Sequence, residues 1–284
     1  MRKIFGIFVL CLLSGCTDGL IPEAEPCLVI EGWIEEGRFP VVLLSTTVPV
    51  GEEEKDMESL RDHVVRWGKV TISDGEREVI LTGGPDERFI PPYSYTTARM
   101  RGEAGKEYTV TAEYDGHVAT ATTVIPEGKD LEYLKAETLS SGKSRIVAGL
   151  KDDASEKNFY KFFVMREGKD STYMSSFLGL VNDEILKDGV NEVAVYNSMN
   201  VREGEFDQYF EKDDVVRVRF CTLDEASWEY WSDFEEIQSL SRNPFFPVSK
   251  MIRSNVTGGL GYWAGYGSRY YKVDMSSSSS EQSK

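Results

Sequence analysis

Cys16 carries the clearest chemistry in the chain. It follows Leu13-Ser14-Gly15, and before these stand Arg2, Lys3 and an apolar run over 4–13. A basic start, a short apolar core and small residues at a cleavage point make a secretory signal. A cysteine just after that point makes it a bacterial lipoprotein signal. The expectation is that 1–15 are removed and that Cys16 becomes a lipidated N-terminus. One acyl chain holds a protein reversibly, whereas several on one residue anchor it firmly.

The aromatic residues near the C-terminus are the second lead. Trp228, Trp231, Tyr262, Trp263 and Tyr266 fall within 39 positions of one another. Aromatic faces bind sugar rings, aromatic ligands or partner surfaces, and they also fill cores. Both readings stand at this point, and these five are the candidate ligand- or partner-binding residues. Trp228 is the strongest of them, because a helical projection sets it among Glu225, Ser232 and Glu236.

Other chemistries find little support. The chain has two histidines, His63 and His117, where a histidine metal site or a triad needs further partners. No Gly-x-Ser-x-Gly elbow occurs. Gly83-Gly84-Pro85-Asp86 and Gly258-Gly259 lack a phosphate-loop context. Acidic pairs such as Asp152-Asp153, Asp183-Glu184 and Asp213-Asp214 arise by chance among 48 acids, and none has calcium-loop spacing. We therefore expect no catalytic residues, no metal, no cofactor and no enzymatic activity.

The elements that would position these residues follow from size and pattern. Of 284 residues, the 269 left after removal of 1–15 suit two domains of ordinary size. Aromatics at 12% and charged residues at 28% describe a globular chain. The net charge of −16 becomes −18 once Arg2 and Lys3 leave with the signal. That argues against nucleic acid and anionic membrane surfaces, which reward clustered Lys and Arg. Cys27 and Cys221 are free to pair after export, but their separation favours two buried thiols.

A tether over 16–27 leads to an apolar strand at 28–34 and a second after Pro40. Gly51 to Asp62 is acidic and reads as a loop or one helical turn. Asp74-Gly75 and Asp115-Gly116 are hairpin turns, and Tyr108 sits where a corner tyrosine belongs. The region 28–126 therefore reads as an immunoglobulin-like β-sandwich. After a linker at 126–130, the region 131–275 reads as an antiparallel β-barrel or sandwich with one packed helix at 224–240. In that helix Ala226, Tyr230, Phe234, Ile237 and Leu240 form the apolar wedge, with Trp231 at its margin. Gly258–Gly267 reads as a closing strand whose glycines admit another backbone. The tail at 276–284 reads as disordered. The whole is mainly β.

The combination of these motifs is more specific than any one. A lipoprotein signal leads directly into Pro26-Cys-Leu-Val-Ile-Glu-Gly-Trp-Ile34. Far downstream stand Tyr230-Trp231, then Asn243-Pro244-Phe245, then Gly258-Gly-Leu-Gly-Tyr-Trp263. This resembles the Bacteroidetes outer-membrane lipoproteins of the domain of unknown function 4249 family. The resemblance implies outer-membrane localisation and a neighbouring TonB-dependent receptor, and it transfers no binding residues beyond Cys16. The resulting expectation is a lipid-anchored outer-membrane binding or accessory protein that partners such a receptor in nutrient uptake. The alternatives are a free-standing ligand-binding lipoprotein using the C-terminal aromatics, and a hydrolase with an unrecognised site. A tether of this length spans roughly 35–40 Å extended, so the first domain stays near the bilayer.

Overall fold

Alternation of side chains along a strand builds the first core. In the computed structural model, which describes residues 26–47, 59–152, 157–182, 186–199, 206–240 and 251–277, β1 (Leu28–Glu35) buries Leu28, Ile30 and Ile34 on one face. It pairs antiparallel with β2 (Val41–Thr46). A 3-10 turn, Ser59–His63, stands at the end of the acidic stretch. Next come β3 (Lys69–Ser73), β4 (Glu78–Ile80), β5 (Thr82–Pro85) and β6 (Tyr93–Thr96). β7 (Glu107–Tyr114) and β8 (His117–Val124) complete the first half. Asp115 and Gly116 both take positive φ, 49° and 78°, the turn whose twist matches the strands it joins. The Tyr108 hydroxyl accepts from the Glu103 N–H at 2.9 Å and donates to the Arg101 carbonyl at 3.3 Å. That is the back-bond of a tyrosine corner.

The second half holds β9 (Tyr133–Thr138), β10 (Ser144–Asp152), β11 (Phe159–Arg166), β12 (Met174–Asn182), β13 (Gly189–Val195) and β14 (Val215–Thr222). Helix α1 (Glu225–Leu240) and the long strand β15 (Leu260–Asp274) close it. β9 and β12 carry no alternating signature. β12 is distorted: its register against β11 shifts between Lys161 and Phe163, and Leu178 takes a φ of 51°.

Three sheets result. One has eight strands in the order β12-β11-β14-β15-β1-β2-β6-β5, one has four (β4-β3-β7-β8) and one has three (β13-β10-β9). None closes into a barrel, so the second half is a sandwich. The eight-stranded sheet is common to both halves. The β4-β3-β7-β8 sheet covers one end of it, and the β13-β10-β9 sheet covers the other.

β15 joins the two. Leu260 to Tyr266 run parallel to β1, and Gly267 to Asp274 run antiparallel to β14. It therefore closes the second sandwich and also completes the first. Trp263 is fully buried in the first core and donates its Nε1–H to the Tyr108 carbonyl at 2.9 Å. The glycines of β15 do admit backbone, as their spacing suggests. Gly261 has a φ of +106°, and a Cβ there would lie 1.9 Å from the Ile30 carbonyl oxygen. A Cβ on Gly265 would lie 2.4 Å from the Val124 carbonyl oxygen. The linker is held too: the Gly128 carbonyl accepts from Arg269 at 2.8 Å.

Candidate functional site

The sequence-derived aromatics fall into the interior. Trp263 faces the first core, on the side of β15 opposite Tyr262 and Tyr266. The other four come together where α1 packs on the outer face of the shared sheet, Trp228 and Trp231 from the helix and Tyr262 and Tyr266 from β15. The Trp231 Nε1–H donates to the Tyr266 hydroxyl at 3.0 Å, and Tyr262 stacks on Tyr230 at 4.0 Å. Trp231, Tyr262, Trp263 and Tyr266 are all buried. They form core, so a ligand-binding surface made of them is not what the fold presents.

Trp228 also corrects the expectation. It packs against Phe159 of β11 at 5.1 Å, and its Nε1 is buried without a partner. The buried face of α1 runs through Ser227 and Trp231, while Ala226 and Leu240 are exposed. The helix is turned because its strongest links lie there. Asp224 caps it by accepting from the Ser227 N–H at 2.8 Å. The buried Lys161 of β11 pairs with Glu235. Arg253 clamps the buried Asp233 at 2.7 and 3.0 Å. Cys16, Asn243-Pro244-Phe245, Asp153, Asp183 and Glu184, and the tail from 278, lie outside the described residues. Ser276 and Ser277 form a turn on Asp274.

A cleft of about 470 Å³ opens where the two sandwiches meet, on the outer face of the shared sheet beyond the edge of the α1 core. Its rings are Trp33, Phe39, Phe89, Tyr173 and Tyr270. Its cations are Arg38, Arg88, Arg101 and Arg219. β1, β14 and β15 supply the floor: Glu35, Arg219 and Tyr270 point from adjacent strands to one spot.

The Arg219 Nη1–H donates to Glu35 Oε1 at 2.8 Å, and the Tyr270 hydroxyl donates to Glu35 Oε2. Both members of the ion pair are buried. Burial alone would raise the Glu35 carboxyl, but Arg219, Tyr270, Ser268 and Arg38 together outweigh it and hold the carboxyl below its ordinary value. The Arg219 guanidinium lies 4.1 Å from the Phe163 ring centre, and its Nε is buried without a partner. Tyr270 is pushed up by burial and by Glu35.

The rim carries the remaining cations. Arg38 lies 4.0 Å over the Tyr270 ring. Arg101 lies 4.0 Å over Phe39 and donates to the Gly37 carbonyl at 2.6 Å. Arg88 chelates Asp86 at 2.8 and 2.7 Å, and this pairing holds the Asp86 carboxyl at about 2. Among the described residues, Arg38 and Arg101 have no carboxylate partner within ion-pair distance. The cleft therefore carries excess positive charge in a chain of net charge −16. Rings with unneutralised guanidinium groups suit an anion that has a flat apolar body.

Sequence reading missed this cleft, although two signals were present. Arg219 stands inside the apolar run of β14, and Glu35 ends the apolar β1. A charge in a strand covered on both faces needs a partner, and each is the other's.

Two further features of the region are plain. Among the described residues, no cluster of three or more His, Cys, Asp or Glu has metal-binding geometry, and no helix is long and apolar enough to cross a membrane. Cys27 and Cys221 are both free thiols. Burial pushes the Cys221 thiol up to about 12. It is expected to resist a disulfide reagent in the native protein at neutral pH and to react once denaturant is added. Rapid native labelling, located at Cys221 by peptide mass, would contradict that packing.

The family model for the domain of unknown function DUF4249 matches residues 18–271. The fold it covers is this pair of sandwiches on one shared sheet, and the chain belongs to that family. No curated protein matches the chain.

Proposed function

We propose that this is a lipid-anchored binding protein of the bacterial outer membrane, held by an acylated Cys16, that captures a small anionic ligand with a flat apolar body in the junction cleft. It works as an accessory to a TonB-dependent receptor and carries out no reaction of its own. The observation that carries the ligand-binding reading is the cleft: its lining has four arginines and one acid, Glu35, with Arg88 neutralised by Asp86 from outside it, and it is walled by rings in an otherwise strongly acidic chain. Pockets at domain junctions are common ligand sites. The anchor rests on the signal sequence, and the receptor rests on the family resemblance.

Two dyes of similar shape test the cleft, anionic 8-anilinonaphthalene-1-sulfonate and neutral N-phenyl-1-naphthylamine. The sulfonate is expected to bind more tightly. Replacing both Arg38 and Arg101 by Gln should weaken it roughly tenfold to a hundredfold, since one charge-assisted hydrogen bond contributes about 1.5–3 kcal/mol. The neutral dye should be unaffected. Equal affinity for both dyes, unchanged in the double variant, would remove the cleft from consideration. For the receptor, mild crosslinking of intact outer membranes followed by purification of the tagged protein should recover it. Recovery of the protein alone would count against the accessory role.

A further inference from the structure

The opposite end of the first sandwich carries a different surface. Trp67 is 89% exposed, more than any other large apolar side chain among the described residues. It borders an open depression with Lys69, Tyr114, His117 and Val118 at the tip of the β7–β8 hairpin. Val118 is 54% exposed and Tyr114 38%. Leu260, 40% exposed, lies nearby at the start of β15, where it pairs with Val29. A cluster of exposed apolar groups centred on a tryptophan marks an interaction surface.

The path of the chain says what faces it. Cys27 is fixed at this same end: its N–H donates to Thr47 Oγ1 at 3.1 Å and its carbonyl accepts from the Thr47 N–H at 2.9 Å. Leu28 lies beside the hairpin, because a Cβ on Gly259 would meet both the Leu28 carbonyl oxygen and Ala119, at 2.6 and 2.9 Å. A Cβ on the neighbouring Gly258 would lie 2.3 Å from the Val118 carbonyl oxygen. Cys16 stands twelve positions before Leu28, a reach of about 40 Å at most. An acyl anchor on Cys16 would therefore enter the fold at the Trp67 end.

The depression at this end offers no cluster of cations, since Lys69 faces both Glu113 and Asp115. Lys69 pairs with Glu113 at 2.6 Å, and Asp115 lines the same depression. Attraction to anionic lipid is thus weak here, and the acidic remainder of the chain opposes it. Trp and Tyr rings with an apolar body and a polar edge are suited to the headgroup layer without such attraction.

We propose that the Trp67 end of the first sandwich docks into the headgroup layer of the bilayer that holds Cys16. The inference rests on the lipid anchor of the proposed function and adds an orientation to it. β1 runs from this end toward the cleft, and its seven residue steps carry Glu35 about 23 Å from Leu28. Docked in this way, the protein stands upright with its cleft turned away from the membrane.

The test uses the full-length acylated protein in phosphatidylcholine vesicles containing brominated acyl chains, which quench nearby tryptophan emission. The wild type should float with the vesicles and be quenched. Trp67→Ala should float equally well, keep its thermal midpoint and lose most of the bromine-dependent quenching. Exchanging part of the phosphatidylcholine for phosphatidylglycerol should not increase the quenching. If the wild type floats but Trp67→Ala is quenched to the same extent, the docking is wrong while the anchor stands. If Trp67 is unquenched in vesicles and becomes shielded from acrylamide only when a partner protein is added, the surface is a protein interface and the docking is overturned. A chain that carries no acyl group by mass and does not float overturns the anchor, and the docking with it.

Discussion

Trp263→Ala is expected to destabilise the protein by about 3–5 kcal/mol, the range for truncating a large buried aromatic. The side chain is fully buried, and its loss also leaves the Tyr108 carbonyl without the indole donor. Its backbone is held as well, with the N–H donating to Asn255 Oδ1 at 3.0 Å and the carbonyl accepting from Asn255 Nδ2 at 2.8 Å. The consequence is larger than one cavity. Trp263 lies 139 positions after Val124, the last residue of β8, yet it sits in the first core. A fragment of residues 26–126 lacks both this ring and the parallel partner of β1, and it is expected not to fold. Urea unfolding of the whole chain should be a single transition by fluorescence and by circular dichroism. A fragment 26–126 that unfolds cooperatively, or two separate transitions in the intact chain, would show that the shared strand does not unite the sandwiches.

Glu35→Leu is expected to lower stability by a similar amount, about 3–5 kcal/mol, because it leaves the Arg219 guanidinium buried without its counter-charge. The double variant Glu35→Leu, Arg219→Met should recover most of the loss, since apolar replacement of a whole buried pair is often neutral. Urea midpoints of the three proteins measure this directly. Failure of the double variant to recover would mean that Tyr270 or the cleft packing, not the unpaired charge, sets the cost. The pair also shapes acid stability. The folded Glu35 carboxyl lies below its ordinary value of 4.5. Its contribution is complete above that value and is lost as pH falls through the lowered folded value. The wild type minus Glu35→Leu difference should therefore hold from neutral pH to about 4.5 and shrink only in stronger acid. A difference that vanished between pH 7 and 6 would not come from this carboxyl.

Much of the strand content was legible because it rests on local rules. Alternation in Glu107–Tyr114 and the Asp-Gly turns depend only on neighbouring residues. The run in β11 announced cover on both faces, and Lys161 there is indeed fully buried. β12 was illegible for an equally local reason: a register shift and a left-handed Leu178 break the period that would reveal it. The rotation of α1 was read only in part: Tyr230 and Phe234 do pack against the core beneath the helix, but Ala226 and Leu240 are exposed, because the buried face is set by partners distant in sequence, Tyr266, Lys161 and Arg253. The summed apolar stripe of the helix does not contain that information.

The sequence by itself determined a mainly β chain, two sandwich-sized halves, one helix and the family. These follow from hydrophobic period, turn chemistry and short contiguous motifs. Only the tertiary structure decided that β15 belongs to both halves, that the aromatics of 228–266 are core, and that a cleft lies between the sandwiches. Pairing between β1 and β15 brings Glu35 beside Tyr266, and pairing between β14 and β15 brings Arg219 beside Tyr270. The ion pair under the cleft thus joins residues 184 positions apart. No local pattern encodes such a meeting, because the register of long-range strand pairs is set by burial summed over the whole sheet.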